Sequence, residues 1–355
     1  MSDILPFLKS LLSVSGLSGD ETPAADLIEK KWKPLADEVT RSRLGSVHGL
    51  KRGSGAAKPR PSVLISTHMD AIGLMVSNIT DGFLHVTNIG GIDARVLPGT
   101  PVIVHASKTG EELYGVVAMP PAHLLPEGSG SGVIALKHLL VDTGLAAPDV
   151  AKRVQVGDRI SFGTESFEMA GNFISGHSLD NRASVAALTL CLEELKHTSH
   201  EWDVWAAASV QEEVTMAGVI TSSFALRPTI GIVVDVTFGS GPGANGHETF
   251  PLGKGVTLGI GASIHPFLYQ RMKATAQRME IPFKDEPVPA HSGTDADYLQ
   301  LTAEGIPTVV VSIPERYMHT PVEVVAVKDI QRAGRLLAEF IASLEADFMN
   351  QISWD

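Results

Sequence analysis

Residues 205–218 read WAAASVQEEVTMAG, an apolar, small-residue run that ends in two adjacent glutamates, Glu212 and Glu213. Carboxylates are almost never fully buried without a partner, so a core strand that delivers two of them to one place calls for a counter-charge. Three other runs have the same form. SVLIST (62–67) leads into His68-Met69-Asp70, GIVV (231–234) into Asp235, and TVVVSIP (308–314) into ERYMHT (315–320), which carries His319. Short β-branched runs bounded by polar residues read as buried strands. Helical patterns lie between or after them. DNRASVAALTLCLEELKH (180–197) sets Val185, Leu188, Leu192 and Leu195 at helical spacing, and residues 267–280 and 327–348 read likewise. Nearer the start, Leu5, Leu8 and Leu12 share a face, and residues 19–38 open a second helix with acidic residues and Pro23. Strands alternating with helices predict a layered α/β fold.

The texture changes from about 72 to 163. Bursts such as FLHVTNI and TPVIVHAS are broken by GG at 90–91, PG at 98–99, PP at 120–121 and EGSGSG at 127–132. That pattern predicts a small β-barrel or sandwich, interrupted by one helix around SGVIALKHLLVD (131–142). The expected organisation is a discontinuous α/β domain, 1–71 and 164–355, with a β-rich insertion at 72–163.

Composition narrows the function. A net charge of −12 over 355 residues disfavours nucleic acid, which requires a basic face. No stretch approaches the ~18 apolar residues that span a bilayer, so no membrane association is expected. The first sixteen residues lack a basic segment followed by an unbroken apolar run, so no signal peptide is read. The single cysteine, Cys191, permits no internal disulfide and falls on an apolar helix face. A cytoplasmic enzyme is the expectation.

In open α/β sheets ligands bind beyond the carboxyl ends of the strands, where His68, Asp70, Glu212, Glu213, Asp235 and His319 are all delivered. Asp180, in SGHSLDNRAS, stands where a helix begins and fits either an N-cap or a ligand. Taken singly, each residue reads more readily as loop, cap or surface polarity than as a ligand; their common placement after buried strands is the signal. Two imidazoles and three carboxylates can hold two divalent cations if one carboxylate bridges. Two such ions carry four positive charges, which three carboxylates and one hydroxide neutralise, as a partly desolvated cavity requires. Such a pair sits ~3.5–4 Å apart and acidifies bound water toward neutral pH. Nitrogen and oxygen ligands suit Zn²⁺, Co²⁺ or Mn²⁺. Adjacent glutamates on an extended backbone point apart, so one ligates and the other serves as general base and then acid. Asp70, two residues after His68, can accept the second imidazole N–H and fix its tautomer.

STHMDAIGLMV, GHSLDNRAS, VQEEVTMAG, GIVVDVTF, HSGTDAD and PERYMHTPVEVV, in this order along the whole chain, resemble the tetrahedral aminopeptidase family, some members of which carry old endoglucanase labels. The resemblance implies a zinc-peptidase-like α/β/α domain with a mixed sheet, carrying an inserted barrel or PDZ-like domain that makes dimers, which assemble into a hollow tetrahedral dodecamer. It implies two metal ions per chain, with Asp180 bridging, His68 and Asp235 on one ion, and Glu213 and His319 on the other. Glu212 would be the general base and acid, and Asp70 would orient His68. Ser292, Gly293 and Thr294 would lie near the substrate, and Arg182 and Asp295 would help hold the site together. Short peptides would lose their N-terminal residue. Three positions depart from the family pattern: Ser292 replaces a glycine, Asn181 a common aspartate, and Thr320 a serine. The alternative is a dinuclear-metal deacylase or amidohydrolase acting on N-acyl amino acids. A glycoside hydrolase, which needs two carboxylates and no metal, leaves the two histidines at strand ends unexplained.

Overall fold

The computed structural model describes residues 3–119 and 134–352. His123 and the first three residues of SGVIALKHLLVD lie outside them. In chain order the strands are β1 (Glu38–Arg41), β2 (Val47–Lys51), β3 (Ser62–His68), β4 (Gly73–Thr80), β5 (Phe83–Ile89), β6 (Pro101–Ala106), β7 (Glu111–Ala118), β8 (Leu140–Asp142), β9 (Arg159–Phe162), β10 (Phe167–Met169), β11 (Phe173–Gly176), β12 (Asp203–Ser209), β13 (Ile230–Phe238), β14 (Val256–Gly261), β15 (Phe283–Val288), β16 (Thr308–Arg316) and β17 (Glu323–Ala326). The helices are α1 (Leu5–Leu12), α2 (Thr22–Trp32), α3 (Ala147–Arg153), α4 (Leu179–Glu194), α5 (Glu212–Thr215), α6 (Ala217–Leu226), α7 (Pro266–Arg278), α8 (Ala296–Leu299), α9 (Val327–Ala342) and α10 (Phe348–Gln351).

These strands form two bodies of sheet. A mixed 11-stranded sheet runs β1-β2-β12-β3-β13-β16-β17-β11-β10, with β14 and β15 branching from β16. Its centre, β12-β3-β13-β16, is parallel. These strands are buried on both faces, which is why they read as unbroken apolar runs rather than alternating ones. Helices α4 and α9 cover one face. Helix α4 is buried along almost its whole length, between the sheet and α9. The two helices approach closely at Gly334, where a Cβ would come within 2.6 Å of the Ala187 carbonyl. Helices α6 and α8 cover the other face, with Leu299 of α8 packed on Gly231 of β13.

Strands β4-β5-β8-β7-β6-β9 close into a barrel with its own core, including Leu74, Val76, Leu84, Val86, Val102, Val104, Val141 and Ile160. Of the two all-β forms read from the sequence, the barrel is the one adopted. One local expectation fails. The described part of SGVIALKHLLVD is a 3₁₀ turn, Leu136–His138, followed by β8, not a helix. Its apolar residues are short enough for either periodicity, and pairing of β8 with β5 and β7 closes the barrel wall. At the chain start α1 buries Leu8, Leu11 and Leu12, while Leu5 is only half-buried.

Candidate metal centre

Strand register brings the first ligands together. Ser209, the last residue of β12, pairs with His68, the last residue of β3. Ser66 pairs with Val233 of β13. Two residues on from each, His68 and Asp235 point to the same face of the sheet, the one that α6 and α8 cover. Asp235 lies within β13 rather than beyond its end. The chain leaves β12 through Gln211, at φ +58°, and enters α5 at once with Glu212 and Glu213. The glutamates are therefore not on extended backbone, as the sequence suggests, but in a helical turn, where successive side chains still diverge, by about 100°. Asp180 lies in the first turn of α4, and His319, at φ +61°, sits in the loop after β16.

The side chains converge. His68 Nε2 lies 3.0 Å from Asp180 Oδ1, 3.7 Å from Asp235 Oδ1 and 3.8 Å from Glu212 Oε2. His319 Nε2 lies 3.3 Å from Asp180 Oδ2 and 3.5 Å from Glu213 Oε2. The two oxygens of Asp180 thus face two separate ligand groups, His68 with Asp235 and His319 with Glu213. Donor atoms ~2.0–2.1 Å from a tetrahedral ion are about 3.3 Å apart, so these spacings suit a divalent cation on each side of Asp180. The hydrogen bonding agrees. His68 Nδ1 faces the Asp70 carbonyl at 3.2 Å. A carbonyl only accepts, so Nδ1 carries a proton; Nε2, aimed at the Asp180 and Asp235 carboxylates, is the atom that would give up its proton to bind a cation there. Glu213 Oε1 is buried with no hydrogen-bond partner among the described residues.

The electrostatics state the same need. Burial, then the neighbouring acids Asp180, Asp70 and Glu212, drive Glu213 well above the usual carboxylate range, and Asp235 is raised mainly by burial as well. Burial pushes Glu212 up to about 9, with His68 opposing and Asp235 and Asp295 adding to the rise. Burial also raises Asp180, but hydrogen bonds from His319 and His68 outweigh it and hold this carboxyl below its ordinary value. Among the described residues no Lys or Arg pairs with Asp180, Glu212, Glu213 or Asp235, so acids this densely buried stay ionised together only with added positive charge.

Supporting contacts follow. Asp70 sits 3.5 Å from His68 Nδ1 through Oδ1, but its carboxylate mainly accepts the backbone N–H groups of Glu212 (3.0 Å) and Glu213 (3.2 Å) and the Ser18 hydroxyl (2.6 Å). It therefore anchors the turn that carries both glutamates, as an acid at a helix N-terminus does. Arg182, fully buried, donates to the carbonyls of Leu11, Val14, Ser15 and Met69, tying α1 to the loop after His68. Asp295 accepts the Ser66 and Ser209 hydroxyls, each at 2.7 Å, beneath His68. Ser292, Gly293 and Thr294 line the same cavity of about 410 Å³ as the ligand cluster, and Asp297 holds their loop by accepting the Ser292 and Gly293 N–H groups. His177 is buried and hydrogen-bonded to the Ser178 hydroxyl at 2.7 Å. His85 and His105 belong to barrel strands, and His291 is exposed.

Sequence reasoning missed Glu323 and Glu315. Glu323 accepts the Asp180 N–H through Oε2 and the His319 N–H through Oε1, both at 3.2 Å, so one carboxylate holds the backbone of two residues of the cluster. Glu315 is fully buried behind it, and burial raises both acids. The signal was available: each interrupts a buried β-branched run, as Asp235 does. Gly91 was also missed. It belongs to the loop after β5, and a Cβ there would lie 2.8 Å from His319 Nδ1.

A mixed α/β sheet with an inserted barrel and a carboxylate–imidazole cluster at the strand ends defines a hydrolase of the metallopeptidase kind. The chain belongs to the M42 glutamyl aminopeptidase family, whose model matches residues 45–336, and it is a peptidase. A lysyl aminopeptidase of Pyrococcus furiosus is 36% identical over 95% of this chain and 96% of its own. An aminopeptidase from Desulfurococcus kamchatkensis superposes with a TM-score of 0.91 at 31% identity, covering 99% of this chain and 97% of that one. The Pyrococcus horikoshii TET1 peptidase, which can assemble into a tetrahedron or a large octahedral shell, superposes at 0.83 with 26% identity over 96% of this chain and 100% of its own.

Proposed function

We propose that the chain is a metal-dependent aminopeptidase that removes N-terminal residues from short peptides. The observation that carries this reading is Asp180, with one oxygen toward His68 and Asp235 and the other toward His319 and Glu213. These five residues would hold two divalent ions, of which Zn²⁺, Co²⁺ and Mn²⁺ suit the donor set. When bound, such ions supply Lewis-acid charge for the scissile carbonyl and acidify water at the site. Glu212 holds the proton. Buried and raised to about 9 beside the other acids, its carboxyl is drawn back toward neutrality by added positive charge, which is where a general base works best. It accepts a proton from the attacking water and returns it to the departing amine.

Assembly belongs to the same reading. We infer that copies of the chain pair through the barrel and build a larger shell. The barrel strand β7 exposes Tyr114 (77%) and Val116, and a separate patch on α6 and α8 exposes Phe224, Tyr298 and, just beyond α8, Leu301. A closed shell built from dimers needs more than one kind of contact, and two separate apolar patches supply them.

The test is release of free amino acids from unblocked peptides, assayed after chelation and after addition of Zn²⁺, Co²⁺ or Mn²⁺. Chelation should abolish release and metal should restore it. Glu212→Gln should retain metal, measured by atomic emission, while losing about 10²–10⁴-fold in kcat. Full activity of that variant would remove Glu212 from the mechanism, and faster cleavage of N-acetylated peptides would favour a deacylase.

A further inference from the structure

We infer that the cavity selects a cationic first side chain and that Glu286 is the residue that selects it. The substrates are then peptides whose N-terminal residue is lysine or arginine. This rests on the aminopeptidase reading above and adds the identity of the first residue.

The cavity contains five acids: Asp180, Glu212, Glu213, Asp235 and Glu286. The first four belong to the proposed ligand and proton-transfer groups. Glu286 has no part in either. Its position follows from register. Asp235 of β13 pairs with Ser312 of β16, and Ser312 pairs with Thr257 of β14. Glu286 of β15 pairs with Gly259, two residues beyond Thr257. Side chains alternate along a strand, so Asp235, Thr257 and Glu286 share one face of the sheet.

The carboxylate of Glu286 is held in place from both sides. Oε1 accepts the Thr237 hydroxyl and Oε2 the Thr257 hydroxyl, each at 2.5 Å. An ionised carboxylate oxygen has a second lone pair, so both oxygens can still receive a donor from the cavity. Among the described residues no Lys, Arg or His pairs with Glu286, and no Lys or Arg lines the cavity. A substrate carboxylate would meet like charge here with nothing to offset it. A substrate ammonium or guanidinium would complete the ion pair.

The reach is right for the first residue. Thr237, which bonds Glu286, lies two residues from Asp235, about 7 Å along the strand. A lysine or arginine side chain that starts beside a carbonyl at the ligand cluster spans that distance. Phe238, Met318 and Met216 add apolar lining to the cavity. Long basic side chains lay their methylene stems on such surfaces while the charged head meets a polar partner.

The metal-reconstituted enzyme, wild type and Glu286→Gln, should be assayed on the p-nitroanilides of lysine, arginine, leucine and glutamate. In the wild type kcat/KM should be higher for lysine and arginine than for leucine and glutamate. Glu286→Gln should lower the lysine-to-leucine ratio of kcat/KM by about tenfold or more, mainly through KM, since the contact is present in ground and transition states alike. A wild type that prefers leucine or glutamate overturns the inference and leaves the aminopeptidase reading intact. So does a variant that loses activity on all four in proportion, which would mark Glu286 as a support for β13 and β14. Cleavage of none of the four by the wild type overturns the aminopeptidase reading itself.

Discussion

At the scale of single residues, the placement of Glu212 and Glu213, on which their proposed roles rest, depends on atoms neither contains. Asp70 accepts both of their backbone N–H groups and so sets where the α5 turn sits. Glu323 does the same on the opposite side for Asp180 and His319. Residues that fix the backbone of ligands tune a metal site nearly as strongly as the ligands. Glu323→Gln keeps the shape but can accept through only one atom, so one of the two N–H groups loses its partner. Metal affinity, measured by competition with a chelator, should fall about 10–100-fold while the circular dichroism stays that of the wild type. Unchanged affinity would reduce Glu323 to a core polar group.

At the scale of elements, the barrel and the sheet meet at the candidate metal centre. Gly91 leaves no room for a side chain beside His319. Gly91→Ala should push His319 off its position and weaken metal retention and turnover, while the barrel, whose core lies elsewhere, keeps its fold; equal metal content in variant and wild type would refute this. A second element-scale prediction concerns β2. His48 is buried there, with Nε2 at 2.8 Å from the Ser222 hydroxyl of α6, and burial pushes it down to about 4. The unfolded chain takes up that proton near 6.5. The folded form therefore loses stability as pH falls from about 6.5 to about 4, with a ceiling of about 3 kcal/mol. Urea unfolding of the metal-free protein at pH 7 and pH 4.5 should show a smaller pH-dependent loss in His48→Gln than in the wild type.

For the whole molecule, the exposed Tyr114 on β7 and the α6–α8 patch should be covered in solution. Wild type should scatter light as a large assembly. Tyr114→Glu puts a charge into the barrel contact and should yield smaller species with the same far-ultraviolet spectrum. A variant that keeps the wild-type mass would move the pairing contact away from β7.

The sequence by itself determined the α/β class, the buried runs, and His68, Asp70, Asp180, Glu212, Glu213, Asp235 and His319 as residues that meet at the centre. Four buried runs each ended in an acid or an imidazole, and burial of charge without a partner is costly enough to make that pattern informative. The same cost marked Glu315 and Glu323 inside VVVSIPER and PVEVVAV, but neither glutamate was singled out. What the tertiary structure decided is which atoms face each other. That Asp180 divides its oxygens between two groups, that the two glutamates begin a helical turn instead of ending a strand, and that residues 136–142 turn and pair in a barrel wall all depend on register between distant segments. WAAASVQEE carries the charge but not the partner strand. Pairing of β12 with β3, and of β3 with β13, is a contact across more than a hundred residues of chain, and periodicity along one segment holds no record of it.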